Sequence, residues 1–298
     1  MIIGLTTKRL AIIGIAFFVG TFQPIFAQSN RVRLDLLLHI HGSDSGSRIG
    51  IFFSPLGDIN GDGYDDIALA SLASFSPREV MVYYGGISPD TIKDLTLRFG
   101  DIDGNRDFDG DGINDISIVT YDSTWLIYKG FRDSIETVPS DSISVPERES
   151  KFKFIEGGYV NLDPYADYLI SSWSVEIDSN RIRYYESPFI NRVSSWEYVE
   201  GLSQHDLRSF GFIDYNCDSF QDIYLGLLAH VDSVGSVKIF YGPTFSSTPD
   251  VIIEAPVGFD SVNVRRFVES CSNIGDVDGD GCDDLYVQFE LTPLIYRG

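Results

Sequence analysis

Residues 107–115 read DFDGDGIND, with aspartate at four of the nine positions and glycine at two. Carboxylates held this close repel one another unless a cation sits among them. The stretch is repeated. DINGDGYDD starts at Asp58, DYNCDSFQD at Asp214 and DVDGDGCDD at Asp276, and a worn copy, YVNLDPYAD, starts at Tyr159. The starts lie 49, 52, 55 and 62 residues apart. Repetition at such a period sets the fold before any single residue does.

Each copy runs into an apolar, β-prone segment: IALASL, ISIV, YLIS, IYLGLL or LYVQF. A turn-rich stretch follows, then VMVYYGG, TWLIYKG, IRYYES, VKIFYG or PLIYRG, in which Tyr84, Tyr128, Tyr185, Tyr241 and Tyr296 take one place in the unit. Further short alternating runs, such as DLTLRF and DVIIEA, lie between units. Short strands with Gly, Asp, Ser and Pro between them predict an all-β fold, and no amphipathic helix is read. A unit of this size is that of a propeller blade, a four-stranded antiparallel sheet needing neighbours to cover both faces. The expectation is a five-bladed β-propeller. The last unit ends on its Tyr296 strand, and RLDLLLHIH (Arg33–His41) alternates as a strand with one apolar face. That segment is expected to pair with the last blade and close the ring.

Each loop, numbered from its first aspartate, offers oxygens at positions 1, 3, 5, 7 and 9. The first offers Asp58, Asn60, Asp62, the carbonyl of Tyr64, and Asp66; the second Asp107, Asp109, Asp111, the carbonyl of Ile113, and Asp115. The third offers Asp214, Asn216, Asp218, the carbonyl of Phe220, and Asp222; the fourth Asp276, Asp278, Asp280, the carbonyl of Cys282, and Asp284. Gly63, Gly112 and Gly281 stand at position 6, where the chain turns sharply; Ser219 replaces glycine there in the third loop. All-oxygen, carboxylate-rich ligation suits calcium, and nothing soft is present for zinc or copper. Position 12 is Leu69, Ile118, Leu225 or Val287, never the acid an EF-hand requires. Three to four Ca2+ ions are expected. The copy at Tyr159 has an aromatic at position 1 and Pro164 at position 6; Asn161, Asp163 and Asp167 remain, and the unit is expected to be metal-free. Asp101, Asp103 and Asn105 read as an approach strand and turn.

The chain has 298 residues. Lys8 and Arg9, the run LAIIGIAFFVG and the small residue Ala27 have the order of a signal peptide over residues 1–27, too short in its apolar part for a spanning helix. Residues 28–298 would then be one exported domain. Loss of Lys8 and Arg9 takes the formal charge from −22 to −24. Such acidity argues against nucleic acid or an anionic membrane surface. Of Cys217, Cys271 and Cys282, the second and third bracket one loop and are the first candidates for a disulfide, against three free thiols.

The units resemble FG-GAP (VCBS-type) repeats, the blades of the integrin α-subunit propeller. The resemblance rests on the Asp loops, the strand after each, and the YYGG or YG ends, and it spans residues 28–298. It implies a calcium-stabilised, exported propeller used for binding, with each loop joining the first two strands of a blade. The sequence departs from the family in counting five units rather than seven, and Phe210-Gly211 and Ile49-Gly50 are its nearest FG elements.

Two function classes follow. One is a monomeric, non-catalytic binding or adhesion-type module for an extracellular protein or glycan, secreted, periplasmic or on the cell surface. The loops HGSDSGS, SLASFSPRE, SSWSVEIDSN and AHVDSVGS, with Trp173, would face the partner, unless these aromatics pack between blades. The other is a calcium-dependent polysaccharide lyase or hydrolase on the same scaffold. There is no G-x-S-x-G, H-E-x-x-H or P-loop; of His39, His41, His205 and His230, the first two share a strand face and read as a metal-binding or base pair or, in preference, as a solvated edge pair, and no catalytic residue is assigned.

Overall fold

The computed structural model describes residues 36–41, 49–71, 79–120, 122, 124–132, 134–135, 137–144, 149–174, 176–187, 194–200, 207–228, 235–256, 267–290 and 292–298. The candidate signal peptide, His205, His230 and most of the loops HGSDSGS, SLASFSPRE and AHVDSVGS lie outside them. No helix occurs among the described residues, and none is therefore long and apolar enough to cross a membrane. Contacts divide the chain into Met1–His39 and Ile40–Gly298, and every strand belongs to the second unit.

Five antiparallel sheets follow one another along the chain. The first is β1 (Ile49–Gly57), β2 (Asp66–Ser71), β3 (Glu79–Tyr83) and β4 (Leu95–Arg98). The second is β5 (Gly100–Arg106), β6 (Asp115–Thr120), β7 (Thr124–Tyr128) and β10 (Asp141–Ser144), with the hairpin β8 (Gly130–Phe131) and β9 (Ser134–Ile135) inserted before its last strand. The third is β11 (Glu149–Gly158), β12 (Asp167–Ser174), β13 (Ser179–Tyr185) and β14 (Trp196–Glu200). The fourth is β15 (Leu207–Ile213), β16 (Asp222–Leu227), β17 (Ser236–Phe240) and β18 (Val251–Glu254). The fifth has three strands, β19 (Phe267–Asn273), β20 (Leu285–Phe289) and β21 (Thr292–Tyr296). Asp101, Asp103 and Asn105 lie in β5, as the approach strand expected of them.

The core lies between consecutive sheets. Leu56, Val82, Ile116 and Leu126 join the first to the second, and Trp125, Ile127, Tyr168 and Tyr185 the second to the third. Leu169, Ile182, Phe212 and Phe240 join the third to the fourth, and Ile239, Val268, Leu285 and Val287 the fourth to the fifth. A sheet covered on both faces loses its alternation. β12 and β16 are buried at every position, whereas β2 and β20, in the first and last sheets, still alternate between buried and half-buried. Among the described residues no apolar cluster joins the fifth sheet to the first.

Three readings are corrected. Leu36–His41, the described part of the expected closing strand, is not a strand. Leu36 and Leu37 are both 79% exposed, so the apolar alternation finds no core there. The register moves two of the recurring tyrosines. The residue after each ninth-position aspartate pairs with Tyr83, Tyr128, Tyr185, Phe240 and Tyr296, so Tyr84 and Tyr241 sit one place beyond the ladder. The first four residues of the expected loop SSWSVEIDSN belong to β12, and Trp173 among them is 9% exposed, in keeping with the packing reading of that residue.

The edge of the fifth sheet carries a specific mark. On one rung of the ladder stand Val82, Ile127, Tyr184, Ile239 and Ile295. The first four are buried beside a fourth strand, and Ile295 is 60% exposed. An apolar edge strand without a neighbour is an open pairing surface.

Candidate metal centre

Each Asp loop joins the first two strands of its sheet, a placement that follows from the element order. Within the loops the first aspartate turns both oxygens back on the chain. Asp107 accepts the amides of Gly110 at 2.7 Å and Gly112 at 2.8 Å; Asp276 accepts those of Gly279 at 2.6 Å and Gly281 at 2.9 Å. Asp58 repeats this with Gly61 and Gly63. Position 3 accepts the amide of position 5, and position 5 that of position 7, as in Asp109 to Asp111 to Ile113. This winding requires left-handed backbone at positions 4 and 6, which Gly110 (φ 76°) and Gly112 (φ 86°) adopt freely. In the loop at Asp214 the same two positions are Cys217 (φ 61°) and Ser219 (φ 71°), which carry side chains into that region.

Two of the loops gather side-chain oxygens tightly enough for an ion. Oxygens of Asp107, Asp109 and Asp111 lie within 4.8 Å of one another, as do those of Asp276, Asp278 and Asp284. These two clusters could hold a metal ion, and their donors, all carboxylate oxygen, fit a hard cation. In the loops at Asp58 and Asp214 position 3 is an asparagine. The Asn60 amide donates to Asp62 at 3.3 Å, and the Asn216 amide to Asp218 at 2.9 Å, which lowers the charge crowding in both loops.

The ninth position behaves differently from the rest. Asp66, Asp115, Asp167, Asp222 and Asp284 are all buried. One oxygen of each accepts the amide of position 2: Ile59, Phe108, Val160, Tyr215 and Val277, at 2.8–3.1 Å. The other accepts an amide just beyond the third strand: Gly85, Gly130, Ser187, Gly242 and Gly298, at 2.7–3.2 Å. The side chain thus staples the loop to the sheet. Burial pushes the carboxyls of Asp66 and Asp167 up to about 6 and those of Asp115 and Asp222 up to about 7, against the opposing pull of the two amides. The worn copy keeps this aspartate while losing the first one. That persistence is the sequence signal for a structural role at position 9.

Sequence reasoning missed two cations. Lys129 Nζ lies 2.8 Å from Asp109, and Arg297 Nε lies 2.9 Å from Asp278 and 2.6 Å from Asp280. Both residues directly follow the third strand of their sheet, and each rests on one of the two aspartate clusters. It also missed a disulfide. Cys282 bonds Cys217, not Cys271, and Cys271 is a buried free thiol. Burial pushes the Cys271 thiol up to about 12.

The loops touch in series. The position-8 amide of Asn114 donates to the Asp58 carbonyl at 3.0 Å, that of Ala166 to Asp107 at 2.8 Å, and that of Asp283 to Asp214 at 2.8 Å. Each bond joins position 8 of one loop to position 1 of the loop before it. No protein-family model matches the chain, and no curated protein sequence matches it.

Proposed function

We propose that the chain is an exported, calcium-stabilised β-propeller of five blades, of the FG-GAP or VCBS kind, acting as a non-catalytic binding module for an extracellular protein or glycan. The observation that carries this reading is the serial bonding of the Asp loops, position 8 to position 1, across three sheet junctions. An ion fixed in one loop stiffens the loops on either side. At a concentration about 100-fold above its dissociation constant, each ion adds about 2.7 kcal/mol to stability. Three or four ions therefore tie the folded state to a calcium-containing medium outside the cell. In this reading the loop at Tyr159 holds no ion, and the ring closes over Ile295 at the open edge of β21.

The test is thermal unfolding of residues 28–298 during calcium titration against a chelator, with calorimetry for stoichiometry. Three or four ions and a large rise in melting temperature are expected. No bound calcium and no shift would leave the loops as acidic turns held by their own amides. A variant Ile295→Asp tests closure separately: with the edge covered it lowers the melting temperature by several degrees, and with the edge open it changes little.

A further inference from the structure

A cavity of about 410 Å³ opens between the third and fourth sheets. Asn161, Tyr184, Glu186 and Trp196 line it from the third sheet, and Thr244 and Phe245 from the turn after β17. Its volume falls within the range of about 300–1,000 Å³ usual for small-ligand sites. Three of its lining residues, Tyr184, Trp196 and Phe245, are aromatic. The Tyr184 and Phe245 rings meet edge-on with centroids 5.1 Å apart, and Trp196 lies 5.6 Å from Phe245. The Trp196 indole N–H donates to the Ser246 carbonyl at 2.8 Å, which fixes the ring in place before any ligand arrives.

The charge at this cavity is reversed relative to its counterparts. Glu186 follows the third strand of its sheet, the place taken by Lys129 and Arg297 in the second and fifth sheets. There a cation rests on loop carboxylates. Here the loop has Tyr159 at position 1 and neutral Asn161 at position 3, and the residue answering it is an acid. The Asn161 amide donates to Glu186 Oε1 at 2.9 Å. Among the described residues no Lys, Arg or His lines the cavity. A lone carboxylate is a poor site for a divalent metal, which needs several oxygens. A carboxylate beside fixed aromatic rings is instead suited to an organic cation, held by charge and by ring faces together.

We propose that this cavity binds an ammonium or guanidinium group, with Glu186 as its counter-ion and Trp196 and Phe245 as its aromatic walls. The inference does not depend on metal in the loops. Glu186 is exposed, so the remainder of the ligand stays in solvent. The cation is therefore either a free amine or a basic side chain of a peptide.

Trp196 provides the readout, because Trp125 and Trp173 are buried. Its fluorescence is followed while the purified chain is titrated with choline, with the peptide acetyl-Gly-Lys-Gly-amide, and with that peptide acetylated on the lysine amine. Saturable binding of choline or of the charged peptide is expected, weakened at least about tenfold in Glu186→Gln and absent for the acetylated peptide. Choline alone binding identifies a free amine, and the peptide alone a basic side chain. Equal binding by Glu186→Gln, equal binding of the acetylated peptide, or no saturable change by about 10 mM overturns the proposal. Glu186→Gln keeps the shape of an exposed side chain, and Phe245→Ala provides a second variant that removes a ring and leaves the charge.

Discussion

Cys217 and Cys282 are bonded across two successive Asp loops, position 4 of one to position 7 of the next. The same junction carries the Asp283 amide on the Asp214 carbonyl and the Asp214 amide on the Asp283 carboxylate at 3.1 Å. The cross-link closes a sequence separation of 65 residues, worth roughly 4 kcal/mol by loop-closure entropy. The double variant Cys217→Ser/Cys282→Ser is expected to melt well below the parent in chelator. Calorimetry should show calcium binding weakened at those two loops and unchanged at the loops starting at Asp58 and Asp107. An unchanged melting temperature would mean that the bond constrains nothing the hydrogen bonds do not already hold.

The buried ninth-position aspartates set a pH dependence whose sign is unusual for carboxylates. Their folded values, about 6 for Asp66 and Asp167 and about 7 for Asp115 and Asp222, lie above the unfolded value of 3.8. The folded state therefore binds protons more tightly than the unfolded one. Its contribution is full below about pH 4 and is lost as pH rises through about 7. In chelator the melting temperature is expected to fall over that interval, in the same direction as the growing self-repulsion of a strongly acidic chain. A melting temperature that rises with pH there would show that the two amides at each site outweigh desolvation.

The fold class was legible because strand alternation and the Asp spacing survive locally. What escaped depends on partners distant in sequence. Tyr83 and Tyr84 are adjacent aromatics, and only the ladder to Ile67 decides which faces which way. The run SSWS reads as a polar turn, yet Ser171, Ser172 and Ser174 are buried with Trp173, because sheets cover β12 on both faces and the alternation that marks a strand disappears. The pairing of Cys217 with Cys282 requires two loops that are far apart in sequence to stand side by side. The gathering of carboxylates was readable directly in two loops, at positions 1, 3 and 5 of one (Asp107, Asp109, Asp111) and 1, 3 and 9 of the other (Asp276, Asp278, Asp284). The role of position 9 was not, since an acid that could ligate and an acid that accepts two amides look alike until burial is known.

Ser219 sits at φ 71° where the loops at Asp58, Asp107 and Asp276 have glycine. A residue with a Cβ costs roughly 1 kcal/mol in this region. Ser219→Gly keeps the amide that donates to Asp214 at 3.0 Å and removes the strain. Denaturant unfolding should show a gain of about 0.5–1 kcal/mol, less than the full strain because glycine also frees the unfolded chain. Loss of stability would place a stabilising contact of the serine hydroxyl above the backbone cost.

Lys129 and Arg297 stand on the carboxylates that an incoming divalent ion would take. Both are partly exposed, with side-chain accessibilities of 37% and 66%, so solvent screens each ion pair and it adds little to the metal-free protein. The same contacts must loosen when an ion enters the loop, so they oppose its binding by a similar amount. Lys129→Met and Arg297→Met are therefore expected to leave the melting temperature in chelator nearly unchanged. Each should raise calcium affinity at its own loop by up to roughly fivefold, most clearly at low ionic strength. Calorimetry of the single and double variants measures this. A fall in affinity would mean that the cations hold the carboxylates in a binding geometry, and that the loops need them in place to receive the ion.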